Sequence, residues 1–334
     1  MRNHMTTSTS TAPSRGTTVS AAVSKYSLQL IVLVAVVIMA VIEPNFRSSG
    51  NIASMLTQAS FAGAIACGMT LLIIAGMIDL SVAGLLAVCA VTASAVLPYT
   101  TIGGAVAVAL IVGAVLGAIN GLVVTKLKIP AFIATLGMLN VYLAIAFIST
   151  NGRVQPISSS HYHALGSGTL LGLPIPFVIF VAVCVLSWFI LQHTPLGRNM
   201  RAIGSSEVAS RMAGIRVDRV IITTFAISGV FTAIAAVTLS ALLSSANGTM
   251  AIGIELSAIA IAVVGGTSLR GGNGSLLGTF TAAFLFSAMN SSLNLLGVPS
   301  YWQNIAVGVV LIAALALGAR RRRATAVPGG AAAL

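Results

Sequence analysis

The sequence predicts an all-α polytopic membrane protein of about ten transmembrane helices, arranged as two inverted five-helix halves. Composition is the first reason: 57% of the 334 residues are hydrophobic and 7% charged, with mean hydropathy +1.04, whereas soluble domains carry about 25% charged residues. The second is a series of apolar runs, most near the ~20 residues a spanning helix needs. The third is a pair of short motifs that recur in order. Backbone groups in lipid must bond internally, so a spanning chain is helical or a closed barrel. A barrel would show short alternating segments, which these runs are not.

Taken in order, residues 1–24 are rich in Ser and Thr, carry Arg2 and Arg15, and lack apolar periodicity. They read as a disordered cytoplasmic tail. A signal peptide is not expected, because the apolar run begins only after Lys25 and no small-x-small cleavage site follows. The membrane domain covers 25–319, with apolar runs at 26–42, 52–75, 80–97, 102–125, 129–149, 176–192, 220–244, 254–268, 275–296 and 300–318. The eighth is short and runs into Gly265-Gly266, as a broken or half helix would. Residues 320–334 form a basic cytoplasmic tail that opens on Arg320–Arg323, a stop anchor. With the N-terminus inside, 14 of the 17 lysines and arginines fall on the cytoplasmic side. That asymmetry places both termini in the cytoplasm, with the chain crossing its membrane many times. It also assigns the net charge of +12 to orientation and lipid contact, not to nucleic acid.

The repeat pairs Ile78-Asp79-Leu80-Ser81 with Ile254-Glu255-Leu256-Ser257. It also pairs Ala118-Ile119-Asn120, followed by Ile129-Pro130-Ala131-Phe132, with Ala288-Met289-Asn290, followed by Val298-Pro299-Ser300-Tyr301. Five runs separate the copies, so the halves would face opposite ways, as in many transport pathways.

Asp79 and Glu255 are the acids nearest the membrane interior. One reading is an N-cap, a carboxylate accepting from free amides at the positive end of a helix. The other has them line a translocation path or hold a helix break, together with Asn120 and Asn290. Gly113, Gly117 and Gly121 form an i, i+4, i+8 stripe that lets another helix approach closely. The glycine-rich stretch 265–275 lacks the Gly-Lys-Ser/Thr ending of a phosphate loop and reads as a tight turn between spans. His161 and His163 would share a face of an extended strand, but no third ligand stands nearby, so no metal is expected. A solvated outer loop is the default for 150–175, with Pro156, Pro174 and Pro176 against a continuous helix. Cys67, Cys89 and Cys184 are scattered through apolar runs and read as small core residues. No cofactor motif and no catalytic constellation of an intramembrane enzyme is present.

One charged, helix-competent segment interrupts the apolar runs, at 193–219. It carries Arg198, Arg201, Arg211, Arg216 and Arg219 with Glu207 and Asp218. Thr194-Pro195-Leu196-Gly197 turns the chain out of the sixth run. Ser206 can cap a short helix that has Glu207 at its positive end and Arg211 toward the other; Gly214 suits the position just past its end. Such a platform serves either as an amphipathic loop on anionic lipid headgroups or as a docking helix for a soluble partner.

The residues Thr194-Pro-Leu-Gly197-Arg198, Arg201-Ala-Ile-Gly204, Glu207-Val-Ala209 and Arg211-Met-Ala-Gly214-Ile215 resemble the coupling segment of ribose-type ABC import permeases. Gly76-Met-Ile-Asp-Leu-Ser81, Asn120-Gly121 with Ile129–Gly137, and Gly253–Ile259 with Val264–Ser275 agree in the same order. Members often carry a second glycine where this chain has Met77, and Asn where it has Ser206. The resemblance implies a type II importer-like fold and the membrane subunit of an ATP-driven monosaccharide importer, for a ribose-, xylose-, galactose- or inositol-like solute. It implies a separate ABC ATPase subunit, an extracytoplasmic sugar-binding protein and a second permease copy, most simply in a homodimer. By the same resemblance, Gly197, Arg198, Arg201, Gly204, Glu207, Arg211 and Gly214 would form the ATPase-coupling surface, and the subunit itself would not be an enzyme. The alternative class is an ion-gradient-driven secondary transporter, which inverted halves with Asp79 and Glu255 would also fit.

Overall fold

The computed structural model describes residues 27–299 and, beyond them, 302–303, 305–310, 312–313 and 316. The predicted tails, with Arg320–Arg323, lie outside the described residues. The helices are α1 (Ser27–Ile42), α2 (Ser49–Ile74), α3 (Val82–Val96), α4 (Ile102–Leu127), α5 (Ala131–Thr150) and α6 (Ser160–Ser167). They continue as α7 (Ile175–His193), α8 (Pro195–Ser205), α9 (Glu207–Met212), α10 (Val217–Leu243), α11 (Ile254–Val264) and α12 (Leu276–Leu295).

Polar residues between apolar runs set the helix ends. Ser48, Thr101 and Ser275 accept hydrogen bonds from Asn51, Gly104 and Gly278 amides to start α2, α4 and α12. Left-handed residues just past the last turn stop the long helices: Gly76 near the end of α2, Lys128 after α4, Asn151 after α5 and Ser244 after α10.

Among the described residues, seven helices are long and apolar enough to cross a membrane: α2, α3 with its following turn, α4, α5, α7, α10 and α12. The expected ten crossings go beyond these seven. α1 has 16 residues, and the helix after α12 is described only in part. The eighth apolar run is a half helix. The 11 residues of α11, at ~1.5 Å each, reach roughly 16 Å, well short of the ~30 Å hydrocarbon core. The chain turns back at 265–275, where Gly266, Gly271 and Gly272 have positive φ and the Gly271 amide bonds to Ser268 O at 2.9 Å. This is the tight turn the glycines predict.

α2 and α10 form the centre, with 83% and 67% of their apolar windows buried, against 22% for α4 and for α5. Around them the packing is reciprocal. α10 packs on α3 and α4, and α2 packs on α11 and α12; α3 meets α4, and α11 meets α12. If α2, α3 and α4 are paired with α10, α11 and α12, each contact has its counterpart.

The two ends of the bundle differ. At one end lie α8, α9, the α2–α3 junction and the 265–275 turn. At the other, the strands β1 (Gln155–Pro156) and β4 (Ser245–Ala246) pair antiparallel, and β2 (Thr169–Leu170) pairs with β3 (Leu173–Pro174). Here the expectation of a solvated loop is corrected. α6 docks on α10, with Tyr162 fully buried and its hydroxyl 3.0 Å from Ser240 Oγ. A Cβ on Gly166 would overlap the Leu242 backbone. His161 and His163 sit on this helix, not on a strand, so the i, i+2 spacing turns them apart. His163 Nδ1 lies 2.8 Å from Ala241 O and 2.9 Å from Ser244 Oγ, and no group of metal-binding side chains occurs among the described residues.

Candidate functional site

The charged segment folds as two short helices separated by the extended Ser206, where the sequence suggested one. Pro195 opens α8, and Thr194 Oγ1 accepts from the Gly197 amide at 3.3 Å. Met200 and Ile203 are buried against the bundle while Arg198 stays exposed and Arg201 half-buried. At i and i+3 the two arginines share one side of α8. Gly197 passes so close to the end of α7 that a Cβ would overlap the Ile190 and Leu191 carbonyls.

α9 begins where sequence reasoning placed it. Ser206 Oγ accepts from the Ala209 amide at 3.2 Å, Glu207 fills the first turn, and Gly214 lies just past the end at φ +79°. Arg211 Nη2 reaches Glu207 Oε1 at 2.9 Å and Asp218 Oδ1 at 2.7 Å, and Lys126 Nζ stands 3.8 Å from Asp218 Oδ2. The hydrogen bonds that Arg211 donates, first to Asp218 and then to Glu207, push its pKa up. The pairs are exposed, and such pairs are each worth ~0–1 kcal/mol, so they orient α9 more than they hold it. Its outer face is apolar: Val208 is 71% and Met212 84% exposed. A cleft of about 790 Å³ opens between α9 and the α4–α5 turn, with Met77, Lys128, Phe132, Glu207 and Arg211 on its walls.

Backbone packing is what fixes this knuckle to the bundle. A Cβ on Gly204 would overlap both Ile74 O and the Gly272 amide, and Gly271 lies against Gly204 in turn. The Gly272 amide donates to Ile74 O at 2.8 Å. Three remote stretches therefore meet at one point: the end of α2, the turn after α11, and the end of α8.

Above that junction the α2–α3 break is tied by a buried network. Asp79 Oδ1 accepts from the Ser81 amide at 2.8 Å and from Ser81 Oγ at 2.6 Å. Asn120 Nδ2 donates to Ser81 Oγ at 2.7 Å and, more weakly, to Asp79 Oδ2 at 3.4 Å. Tyr142 Oη lies 2.8 Å from Asn120 Oδ1 and 2.9 Å from Leu116 O. Thr135 Oγ1 accepts from the Leu80 amide at 3.0 Å. All five side chains are at most 1% exposed, so this set binds three helices together and presents nothing to solvent.

Comparison with known proteins decides what kind of molecule carries this knuckle. The family described as the permease component of branched-chain amino acid transport systems matches residues 51–315. A ribose import permease of Haemophilus influenzae is 40% identical over 295 residues, 86% of this chain and 90% of its own length. The ribose import permease of Bacillus subtilis is 37% identical over 295 residues, 86% of this chain and 90% of the relative. An L-arabinose transport permease of Escherichia coli is 32% identical over 321 residues, 96% of this chain and 98% of the relative. No solved structure matches the chain.

The chain belongs to the ribose-type ABC importer permease family.

The permease is thus a multi-pass membrane component of a sugar transport system, as its relatives' names and its apolar helices agree. Its glycine stripe faces α10. A Cβ on Gly113 would come within 2.5 Å of Gly229 O, one on Gly121 within 2.6 Å of Ile222 Cα, and one on Gly117 would overlap Phe225 O. Asp79 and Asn120, grouped by sequence with a path, are closed into the network above. Neither acid is an N-cap residue: Ser81 caps α3 and Gly253 caps α11. Glu255 is half-buried in the first turn of α11, where Oε2 accepts from the Gly253 amide at 3.0 Å. Asn290 lies apart from Asp79 and Asn120, on the wall of a second cavity between α2 and α12.

Sequence reasoning missed Tyr142 and Thr135, whose hydroxyls are inconspicuous inside an apolar run. It quoted Val208 and Met212 only within the resembling motifs and did not single them out as exposed apolar side chains. It also missed that Cys67 and Cys184 come together, with sulfurs 3.4 Å apart.

Proposed function

We propose that this permease is the membrane subunit of an ATP-driven importer for a monosaccharide, and that α8–α9 is where a separate ATPase delivers its stroke. The Gly204–Ile74–Gly272 junction carries the reading. A push on α8 reaches, without an intervening flexible side chain, the break between α2 and α3 and the turn between α11 and α12. Those breaks belong to opposite halves of the reciprocal packing, so one input can rock both halves and expose a central pathway alternately. Interiors this tightly packed switch between arrangements and do not deform smoothly. The exposed Val208 and Met212 of α9, with Glu207 and Arg211 on the same short helix, suit the cleft of a soluble partner better than a lipid surface would: interface centres are apolar and rims polar.

On this reading the knuckle end is cytoplasmic, with both termini inside, and the β1–β4 end meets an extracytoplasmic sugar-binding protein. Two copies, the simplest assembly, form the pathway in the bilayer. Full-length relatives named for ribose and L-arabinose favour a pentose-class cargo over a branched-chain amino acid. A self-contained secondary transporter has no use for an exposed apolar tip locked to both halves.

The test is the charge-reversed double variant Arg198→Glu/Arg201→Glu. It should lose at least about tenfold in ATPase recruitment and in ATP-driven ribose uptake by proteoliposomes, while thermal unfolding of the bundle stays within a degree or two. Such a loss matches the ~1–3 kcal/mol typical of interface anchors. Full recruitment and uptake by the variant would reject the docking assignment, and wild-type uptake with no ATPase present would reject the importer class. For topology, cysteines placed at Ser206 and at Asn247 should label from opposite membrane faces with an impermeant thiol reagent; labelling from one face contradicts the orientation.

A further inference from the structure

The two halves carry matching polar residues in similar local sequence, an acid, a serine and an asparagine, and only the first set closes on itself. In the first half Asp79, Ser81 and Asn120 close on one another, and Tyr142 Oη fills the last place at Asn120 Oδ1. In the second half the counterparts are Glu255, Ser257 and Asn290. There the Asn290 Oδ1 atom is buried without a hydrogen-bond partner among the described residues. A buried oxygen left bare costs ~1–3 kcal/mol, so something is normally expected to meet it.

What stands in front of Asn290 is a cavity of about 210 Å³ between α2, α10, α11 and α12. Gln58, Ser257, Ser287 and Asn290 offer polar groups to it, and Phe61 and Phe286 supply aromatic wall. Pockets for drug-sized ligands run ~300–1,000 Å³ and combine mostly apolar walls with a few placed polar groups. This one has that make-up at a smaller size, room for one sugar ring and not for an oligosaccharide. Ser287 Oγ is already committed to Met55 O at 2.7 Å, and Gln58 Nε2 donates to Ser54 Oγ at 3.1 Å. Ser257 Oγ makes no hydrogen bond to a described residue, so within the repeated set it and Asn290 Oδ1 are free to meet a ligand.

We infer that this cavity is a monosaccharide subsite of the permease itself, in which a ring hydroxyl donates to Asn290 Oδ1 where Tyr142 donates in the other half, and a second hydroxyl meets Ser257. The assignment rests on the proposed import function and adds to it the place where the cargo pauses. The first half is the closed, structural copy of the motif. The second is the open copy, left unfilled so that the solute completes it.

The test uses the permease with its ATPase and binding protein in proteoliposomes, and radiolabelled D-ribose and L-arabinose as probes. Asn290→Leu, which removes the acceptor, should lower ATP-driven uptake about tenfold, the worth of one hydrogen bond to a buried group. Ser257→Leu, which fills the cavity, should do at least as much without touching Asn290. Both should keep wild-type ATPase assembly and thermal unfolding, a split that a purely structural role would not produce. In a Ser257→Cys variant, excess D-ribose should slow modification by a methanethiosulfonate reagent. Wild-type uptake rates in both leucine variants, or no protection at the cysteine, overturn the subsite and leave the import function standing. A wild-type complex that moves neither sugar with ATP present overturns both. If Asn290→Leu fails to assemble, Ser257→Leu and the protection assay decide.

Discussion

Replacing Gly204 with valine should abolish ATP-driven uptake, by two orders of magnitude or more, while leaving ATPase recruitment nearly intact. The reason is the junction at which the knuckle meets both halves of the bundle. A Cβ at Gly204 would overlap the Ile74 carbonyl and the Gly272 amide, and both obstacles are backbone, so no side chain can rotate away. Overpacking at a close-packed site costs ~1–3 kcal/mol or more, and 1.4 kcal/mol is a factor of ten. The expected relief is separation of α8 from Ile74 and loss of the 2.8 Å Gly272–Ile74 bond. The recruiting residues proposed above, Arg198, Val208 and Met212, are exposed and make no part of the junction, so they should survive. Measuring recruitment, ATP hydrolysis and uptake on the same preparation separates the cases. Uptake near the wild-type rate would mean that the stroke does not pass through this contact.

The second large effect falls on stability. Asn120→Leu should lower the unfolding free energy by about 3 kcal/mol, since it leaves the buried Asp79, Ser81 and Tyr142 groups with lost partners, each worth ~1–3 kcal/mol when unsatisfied. Thermal unfolding in nanodiscs should fall by many degrees. Tyr142→Phe removes one donor and should fall by less, about 1 kcal/mol. Equal stability of Asn120→Leu and the wild type would show that the network contributes nothing net. The contrast with Asn290→Leu, on the unsatisfied counterpart, is the sharper result: the same substitution in the two halves should unfold one and leave the other folded.

Much of the knuckle was legible before any coordinates. Ser206, Glu207, Arg211 and Gly214 occupy the cap, first-turn, last-turn and post-helix places that capping chemistry predicts from spacing alone. The half helix at 254–264 was signalled by its length and by Gly265-Gly266. Less legible was the fate of Asp79 and Asn120. An acid and an amide near membrane depth point equally to a path or to a packed tie, and only the positions of Ser81, Tyr142 and Thr135 made it a tie. The segment after α5 was misjudged because prolines exclude one long helix but not an eight-residue one, and α6 is held by docking on α10, not by its own pattern.

What the sequence determined by itself is the solvent and the class of element. Apolar run length, the scarcity of charge and the capping residues are local properties, and they require membrane helices broken at 75–81 and at 265–275. What only the tertiary structure decided is which faces meet: Gly204 on Ile74 and Gly272, the glycine stripe on α10, the closed polar set in one half and the open one in the other. In water an amphipathic stripe announces the buried face of a helix. In lipid the outside is as apolar as the inside, so helices like α4 and α10 carry no such stripe, and their register appears only when the backbones are brought together.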